Sequence, residues 1–83
     1  MQKKCVVLEV PATGQSYDIM LPACITVGEA TALLTGMVRE LSAGQYVCTG
    51  NEILCRREGA LLLRRSCTVE EYGISDGEHL ILF

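Results

Sequence analysis

The segment TVEEYGISDGEHLILF, residues 68–83, carries the strongest fold signal in this chain. Thr68 and Glu71 have the spacing of a capping box, in which each side chain bonds the backbone amide of the other residue, and Gly73 can end the helical turn that they begin. A tight turn then leads into residues 78–83, where apolar residues occupy both faces of a predicted strand. Strands of that kind lie inside sheets, so the segment predicts one capped turn that leads into a central strand.

The beginning of the chain predicts a β-hairpin. Apolar and polar residues alternate over 5–10 and again over 16–21, and the turn between them contains Gly14, which can adopt a positive φ angle. Pro22 ends the second strand because it has no amide proton to donate. We expect the last strand of the chain to lie beside the first, since its apolar run requires cover on both faces.

One long helix is predicted after the hairpin. Thr26 and Glu29 form another capping box at its start, and Gly44 is a natural C-cap. The apolar residues between them recur every three or four positions and therefore share one helical stripe. They are Val27, Ala30, Leu34, Val38 and Leu41.

The middle of the chain predicts two further short strands. Residues 52–56 and 60–63 are separated by a turn, and Tyr46 and Val47 before them can pack on the core. The element order is then β-β-α-β-β-(short helix)-β, in which a single helix can bury its stripe only against a sheet. We predict one α+β domain over residues 1–83, with a mixed sheet of four to five strands packed on one main helix.

Composition and charge exclude several classes of function. The 83 residues carry ten acidic and seven basic side chains, a net charge of −3. Nucleic-acid binding and attachment to anionic membranes both favour a basic surface, so neither is expected. No apolar run approaches the ~20 residues of a membrane span, so we expect no direct membrane insertion and a cytoplasmic protein.

The side chains that carry most enzyme chemistry are sparse. The five cysteines are odd in number and show no CxxC spacing, so neither a disulfide framework nor a zinc site is predicted. His79 is the only histidine, and a thiolate pair with Cys55 or Cys67 would lack the third group that orients such a pair. We therefore predict no enzyme activity, no cofactor and no metal site, with His79 exposed at a strand end.

The segment over 68–82 resembles the corresponding part of ubiquitin, in which a capped turn brings a tyrosine and an isoleucine inward before the last strand. Tyr72 and Ile74 take those places here. The Gly14 turn and the Thr26 cap also fall where the ubiquitin-like β-grasp fold has them, so the resemblance covers nearly the whole chain. Chain length and the pattern Thr-x-x-Glu-x-Gly-Ile-x-x-Gly-Glu are most similar to the YukD/EsaB-like family of bacterial type VII (WXG100, Ess) secretion systems.

This resemblance implies a non-catalytic protein-interaction module. Its partners would be membrane proteins or an ATPase of the secretion machinery, and it would be cytoplasmic and peripheral to the membrane complex. One alternative is a ubiquitin-like modifier or sulfur carrier, but such proteins end in a flexible Gly-Gly tail. The present sequence has no Gly-Gly dipeptide and ends at Phe83, so that role would need a longer precursor. The other alternative is a structural domain that self-associates as a homo-oligomer.

The resemblance also implies a candidate binding surface. Ubiquitin binds partners through an apolar patch on the outer face of its sheet, and Leu54, Ile81 and Phe83 align with outward positions there. Because side chains alternate along a strand, Leu80 and Leu82 facing the helix would place Ile81 and Phe83 outward. We therefore predict a partner-binding patch formed by Leu54, Ile81 and Phe83.

Overall fold

The structure, a computed structural model, describes residues 3–46 and 50–83, which form a mixed five-stranded sheet and one long helix. The α+β fold, the element order and the single main helix agree with the prediction. The strands and the helix are β1 (Lys3–Val10), β2 (Gln15–Pro22), α1 (Val27–Leu41), β3 (Leu54–Arg56), β4 (Leu61–Leu62) and β5 (Glu78–Leu82). Two short 3₁₀ turns are found at Glu58–Ala60 and Glu70–Tyr72.

The last strand of the chain is the central strand of the sheet. The spatial order is β2-β1-β5-β3-β4, in which β5 pairs parallel with β1 and antiparallel with β3. β1 also pairs antiparallel with β2, as the hairpin pattern predicts. The predicted position of the last strand beside the first is therefore confirmed.

The hydrophobic core lies between α1 and one face of the sheet, which we call the inner face. Leu34 and Val38 of α1 and Leu8, Leu80 and Leu82 of the strands have no solvent-accessible surface. The even-numbered residues of β5 thus point to the helix. The odd-numbered residues of β5 point to the opposite side of the sheet, the outer face.

Both predicted capping boxes are formed. The Glu29 amide donates to Thr26 Oγ1 at 3.1 Å and the Thr26 amide donates to Glu29 Oε1 at 3.2 Å. The same exchange joins Thr68 and Glu71, at 3.1 and 2.9 Å. An isolated antiparallel bridge pairs Thr26 with Thr68, so the two capped turns start side by side. Gly73 closes the second turn in the left-handed conformation, with a φ of 61°.

The end of α1 differs from the prediction. The helix ends at Leu41 with Ser42 as its C-cap, whereas Gly44 lies beyond it and donates its amide to the Arg39 carbonyl at 3.1 Å. Leu41, predicted on the buried stripe, is 58% exposed because it occupies the last position of the helix. Within the described ranges no helix is long and apolar enough to cross a membrane.

The two middle strands are shorter than predicted. β3 begins only at Leu54, and β4 begins only at Leu61. Ala60 cannot belong to β4 because its φ of 49° is left-handed and closes the preceding 3₁₀ turn. Tyr46 is buried as predicted. The predicted packing of Val47 concerns a residue outside the described ranges.

Candidate protein-binding surface

The predicted outward position of Leu54 is wrong. Leu54 is 1% exposed and belongs to the core. It lies directly opposite Leu82 in the antiparallel pairing of β3 with β5. Directly opposed residues point to the same face of a sheet, so Leu54 shares the inward direction of Leu82. An alignment with ubiquitin through the segment of Tyr72 and Ile74 does not determine the register of β3 against β5.

Phe83 and Ile81 lie on the outer face, as their alternation with the buried leucines of β5 requires. Phe83 is 59% exposed and Ile81 is half-buried. The neighbour of Phe83 on the adjacent strand is Ile53, not Leu54. The Ile53 amide donates to the Phe83 carbonyl at 3.2 Å, and the Phe83 amide donates to the Ile53 carbonyl at 3.0 Å. Ile53 is 48% exposed and extends the apolar surface of Phe83.

Leu62 extends the same surface to the sheet edge. Cys55 lies opposite both Ile81 on β5 and Leu62 on β4, which places all three on the outer face. Leu62 is 62% exposed, whereas Cys55 between them is only 5% exposed. We call the surface formed by Ile53, Leu62, Ile81 and Phe83 the outer-face patch. Two of its members, Ile53 and Leu62, were not in the predicted site.

A polar group borders the outer-face patch on one side. Glu9 lies opposite Ile81 in the pairing of β1 with β5, and its Oε2 atom is 3.1 Å from Arg57 Nη1 and 3.1 Å from His79 Nδ1. Arg57 Nη1 and His79 Nδ1 are 3.5 Å apart. One carboxylate thus contacts both nitrogen groups, and the apolar patch has a charged rim of the kind found at protein interfaces.

The described residues contain no arrangement typical of an active site. His79 is exposed, and its Nδ1 atom contacts Glu9 rather than a thiol. Burial raises the pKa of the Cys55 thiol, which disfavours the nucleophilic thiolate. No group of three or more His, Cys, Asp or Glu side chains among residues 3–46 and 50–83 has the geometry to hold a metal ion.

A second ion pair lies next to the group of Glu9, Arg57 and His79, on the other face of the sheet. Arg56 donates from Nη2 to Glu78 Oε1 at 2.9 Å and from Nε to Glu78 Oε2, which joins β3 to β5. The hydrogen bond from Arg56 lowers the pKa of the Glu78 carboxyl group below its usual range. Both side chains are largely buried, so this pair has a structural role distinct from the exposed rim of the outer-face patch.

The sequence over residues 5–82 matches the family described as "WXG100 protein secretion system (Wss), protein YukD". The chain belongs to the YukD family. This result confirms the resemblance identified from the capped turn and the last strand. No curated protein sequence matches the chain significantly.

Solved structures confirm the ubiquitin-like β-grasp fold. The EccD5 ubiquitin-like domain of Mycobacterium xenopi is 19% identical with a TM-score of 0.73, and the match covers 100% of this chain and 94% of that domain. Caldiarchaeum subterraneum ubiquitin is 16% identical with a TM-score of 0.74, over 98% and 91% of the two chains.

A further match lies within a membrane assembly. A chain of the MycP5-free ESX-5 inner membrane complex is 25% identical with a TM-score of 0.77. The match covers 100% of the present chain but 21% of the other, so the similarity concerns one domain of a longer protein. YukD family membership and these structural neighbours together identify a ubiquitin-like protein of a type VII secretion family.

Proposed function

We propose that this protein is a non-catalytic docking module of a type VII secretion system and that it binds a protein of the secretion machinery through the outer-face patch. The observation that carries the proposal is the exposure of Ile53, Leu62 and Phe83 side by side on a sheet whose other face is filled by α1. A group of large apolar side chains on a surface is a frequent mark of a protein interface.

The composition of the outer-face patch supports a binding role. Its exposed side chains are about half accessible, so covering each would contribute on the order of 1 kcal/mol. The neighbouring Arg57 and Glu9 form an exposed ion pair at the rim, where charged groups favour orientation and specificity more than affinity. A surface with an apolar centre and a charged border fits a protein partner.

The partner class follows from the family and from the ESX-5 match. A domain with this fold is part of a longer chain in the ESX-5 inner membrane complex. That relationship supports a membrane protein or ATPase of the secretion machinery as the partner of the present chain. The protein would then work at the cytoplasmic side of the membrane, peripheral to the complex.

Affinity purification from a host with a type VII system tests this proposal. The two neighbouring leucines of β4 provide a matched pair of variants, since Leu62 is 62% exposed on the outer face and Leu61 is 46% exposed opposite Arg56 on the other side of the strand. We expect the wild type and Leu61→Asp to recover a secretion component and Leu62→Asp to lose it. Recovery of no secretion component with the wild type, or equal recovery with all three proteins, would contradict the proposal.

Self-association is the competing use of the same surface. Light scattering of the wild type and Phe83→Asp separates the two roles. A dimer that Phe83→Asp dissociates would mean that a second copy covers the outer-face patch. A monomer in both cases would leave the patch available to the secretion partner.

A further inference from the structure

A second apolar surface lies on the flank of α1, away from the outer-face patch. Leu33, Met37 and Leu41 are four residues apart and therefore form one line along the helix. Leu33 is 44% exposed, Leu41 is 58% exposed, and Met37 is half-buried against the core. Leu33 and Leu41 thus remain exposed, although other side chains of α1 cover the inner face of the sheet.

The Leu41 end of this line lies on the β2 side of the sheet. Leu41 borders the same groove as Gln15 and Tyr17 of β2. The other flank of the helix, at Thr35, faces a different depression that is shared with Arg65. We call the groove between β2 and Leu41 the α1–β2 groove. The helical period places Met37 and Leu33 on the same flank of α1 as Leu41.

The strand that borders this groove has an open edge. β2 ends the strand order and has eight residues, and among the described residues only β1 pairs with it. The edge strand at the other side, β4, has two residues and is protected by its shortness. β2 instead carries Asp18 as its only charged residue and Pro22 at its end. Within the described part of the chain no further strand pairs with β2, so its outer edge is a template for another extended chain.

The charged residues around the α1–β2 groove indicate which charge an extended partner segment would carry. Asp18 is exposed on the outer side of β2, and Glu40 is exposed one helical turn after Met37. Arg39, the nearest basic residue of α1, lies about 200° round the helix from Met37 and therefore on the other flank. A second copy pairing through β2 would bring the same carboxylates to the shared edge. The groove therefore fits a basic partner better than a second copy of this chain.

We propose that the α1–β2 groove binds an extended peptide segment of another protein, which adds a strand to β2. Alternate side chains of the segment would be apolar and contact Leu33, Met37 and Leu41. The side chains between them would be Lys or Arg and would lie beside Asp18, where an opposite charge stabilises a cross-strand pair. This site is separate from the outer-face patch and does not depend on the function proposed for it.

A synthetic peptide of alternating valine and lysine, capped at both ends and matched in length to β2, tests this site. NMR titration should shift the amide signals of β2 and of α1 around residues 33–41, and should slow hydrogen exchange along β2. Leu41→Ser should weaken binding about tenfold, since one apolar contact of roughly 1.4 kcal/mol is lost. Leu61→Ser on β4, at the far edge of the sheet, is the matched control and should bind as the wild type does.

Two further binding measurements distinguish strand addition from simple attraction between opposite charges. A peptide with the same lysines but prolines in place of the central valines cannot form the ladder and should not bind. Asp18→Lys should reverse the charge preference, so that a valine–glutamate peptide binds more tightly than the valine–lysine peptide. The proposal is overturned by an absence of binding, by shifts confined to the outer-face patch, by tight binding of the proline peptide, or by an unchanged charge preference.

Discussion

Ile53 and Phe83 lie directly opposite each other at the end of the sheet, joined by two backbone hydrogen bonds of 3.2 and 3.0 Å. This pairing determines which residues form the outer-face patch. It continues the register in which Leu54 opposes Leu82, so that an exposed pair lies next to a buried pair. Two consecutive residues, Ile53 and Leu54, thus have opposite roles, one on the surface and one in the core.

Truncation of these two residues should have very different effects on stability. Leu54→Ala removes a fully buried side chain and should lower the free energy of unfolding by about 2–5 kcal/mol. Ile53→Ala removes a half-exposed side chain and should cost less than about 1.5 kcal/mol. Urea denaturation of both variants measures the difference. Equal losses would mean that the register of β3 against β5 is not the one described.

The ion pair between Arg56 and Glu78 should make stability depend on pH. Because the pKa of Glu78 is lowered in the folded protein, its contribution is complete above the ordinary carboxyl pKa and is lost as the pH falls through the lowered value. Glu78→Gln should therefore be less stable than the wild type at neutral pH, by about 1–3 kcal/mol, and the difference should shrink in acid. Thermal unfolding of both proteins from neutral pH into acid measures this difference in stability. A difference that does not change with pH would contradict the lowered pKa of Glu78.

The capping box at the start of α1 should be sensitive to removal of one hydroxyl group. Thr26→Ala removes the acceptor of the Glu29 amide and should cost about 0.5–2 kcal/mol. Thr26→Ser keeps the hydroxyl and should restore most of the loss. Chemical denaturation of the two variants checks this prediction, and equal destabilisation by alanine and serine would show that the methyl group matters instead.

The thiols should differ in reactivity according to their burial. Cys24 is exposed, whereas Cys55 is buried and has a raised pKa. Alkylation of the native protein at neutral pH should therefore modify Cys24 well before Cys55. Peptide mass spectrometry at increasing reaction times measures the order. Early modification of Cys55 would show that the outer-face patch opens readily or that its thiol has a catalytic environment.

Sequence reasoning predicted the local features of the fold well. The capping boxes at Thr26 and Thr68 and the hairpin turn at Gly14 depend on residues close together in the chain, and the structure contains all three. The central position of β5 followed from its apolar run. These signals are local or compositional, so they do not require knowledge of which strands pair.

The candidate site was harder to predict because it depends on pairing between distant segments. Phe83 and Ile81 could be placed outward from alternation within one strand. The assignment of Leu54 failed because the face of β3 is fixed only by its register with β5. Ile53 and Leu62 were missed for the same reason, although once Leu54 is known to be buried, alternation along the strand implies that Ile53 is exposed.

The most direct measurement of the central claim is site-specific photo-crosslinking in a host that carries the secretion system. A photoreactive residue at position 62 on the outer face should capture a protein of the secretion machinery, whereas one at position 61, on the other side of β4, should not. The same capture from both positions, or no secretion protein captured from position 62, would contradict docking through the outer-face patch.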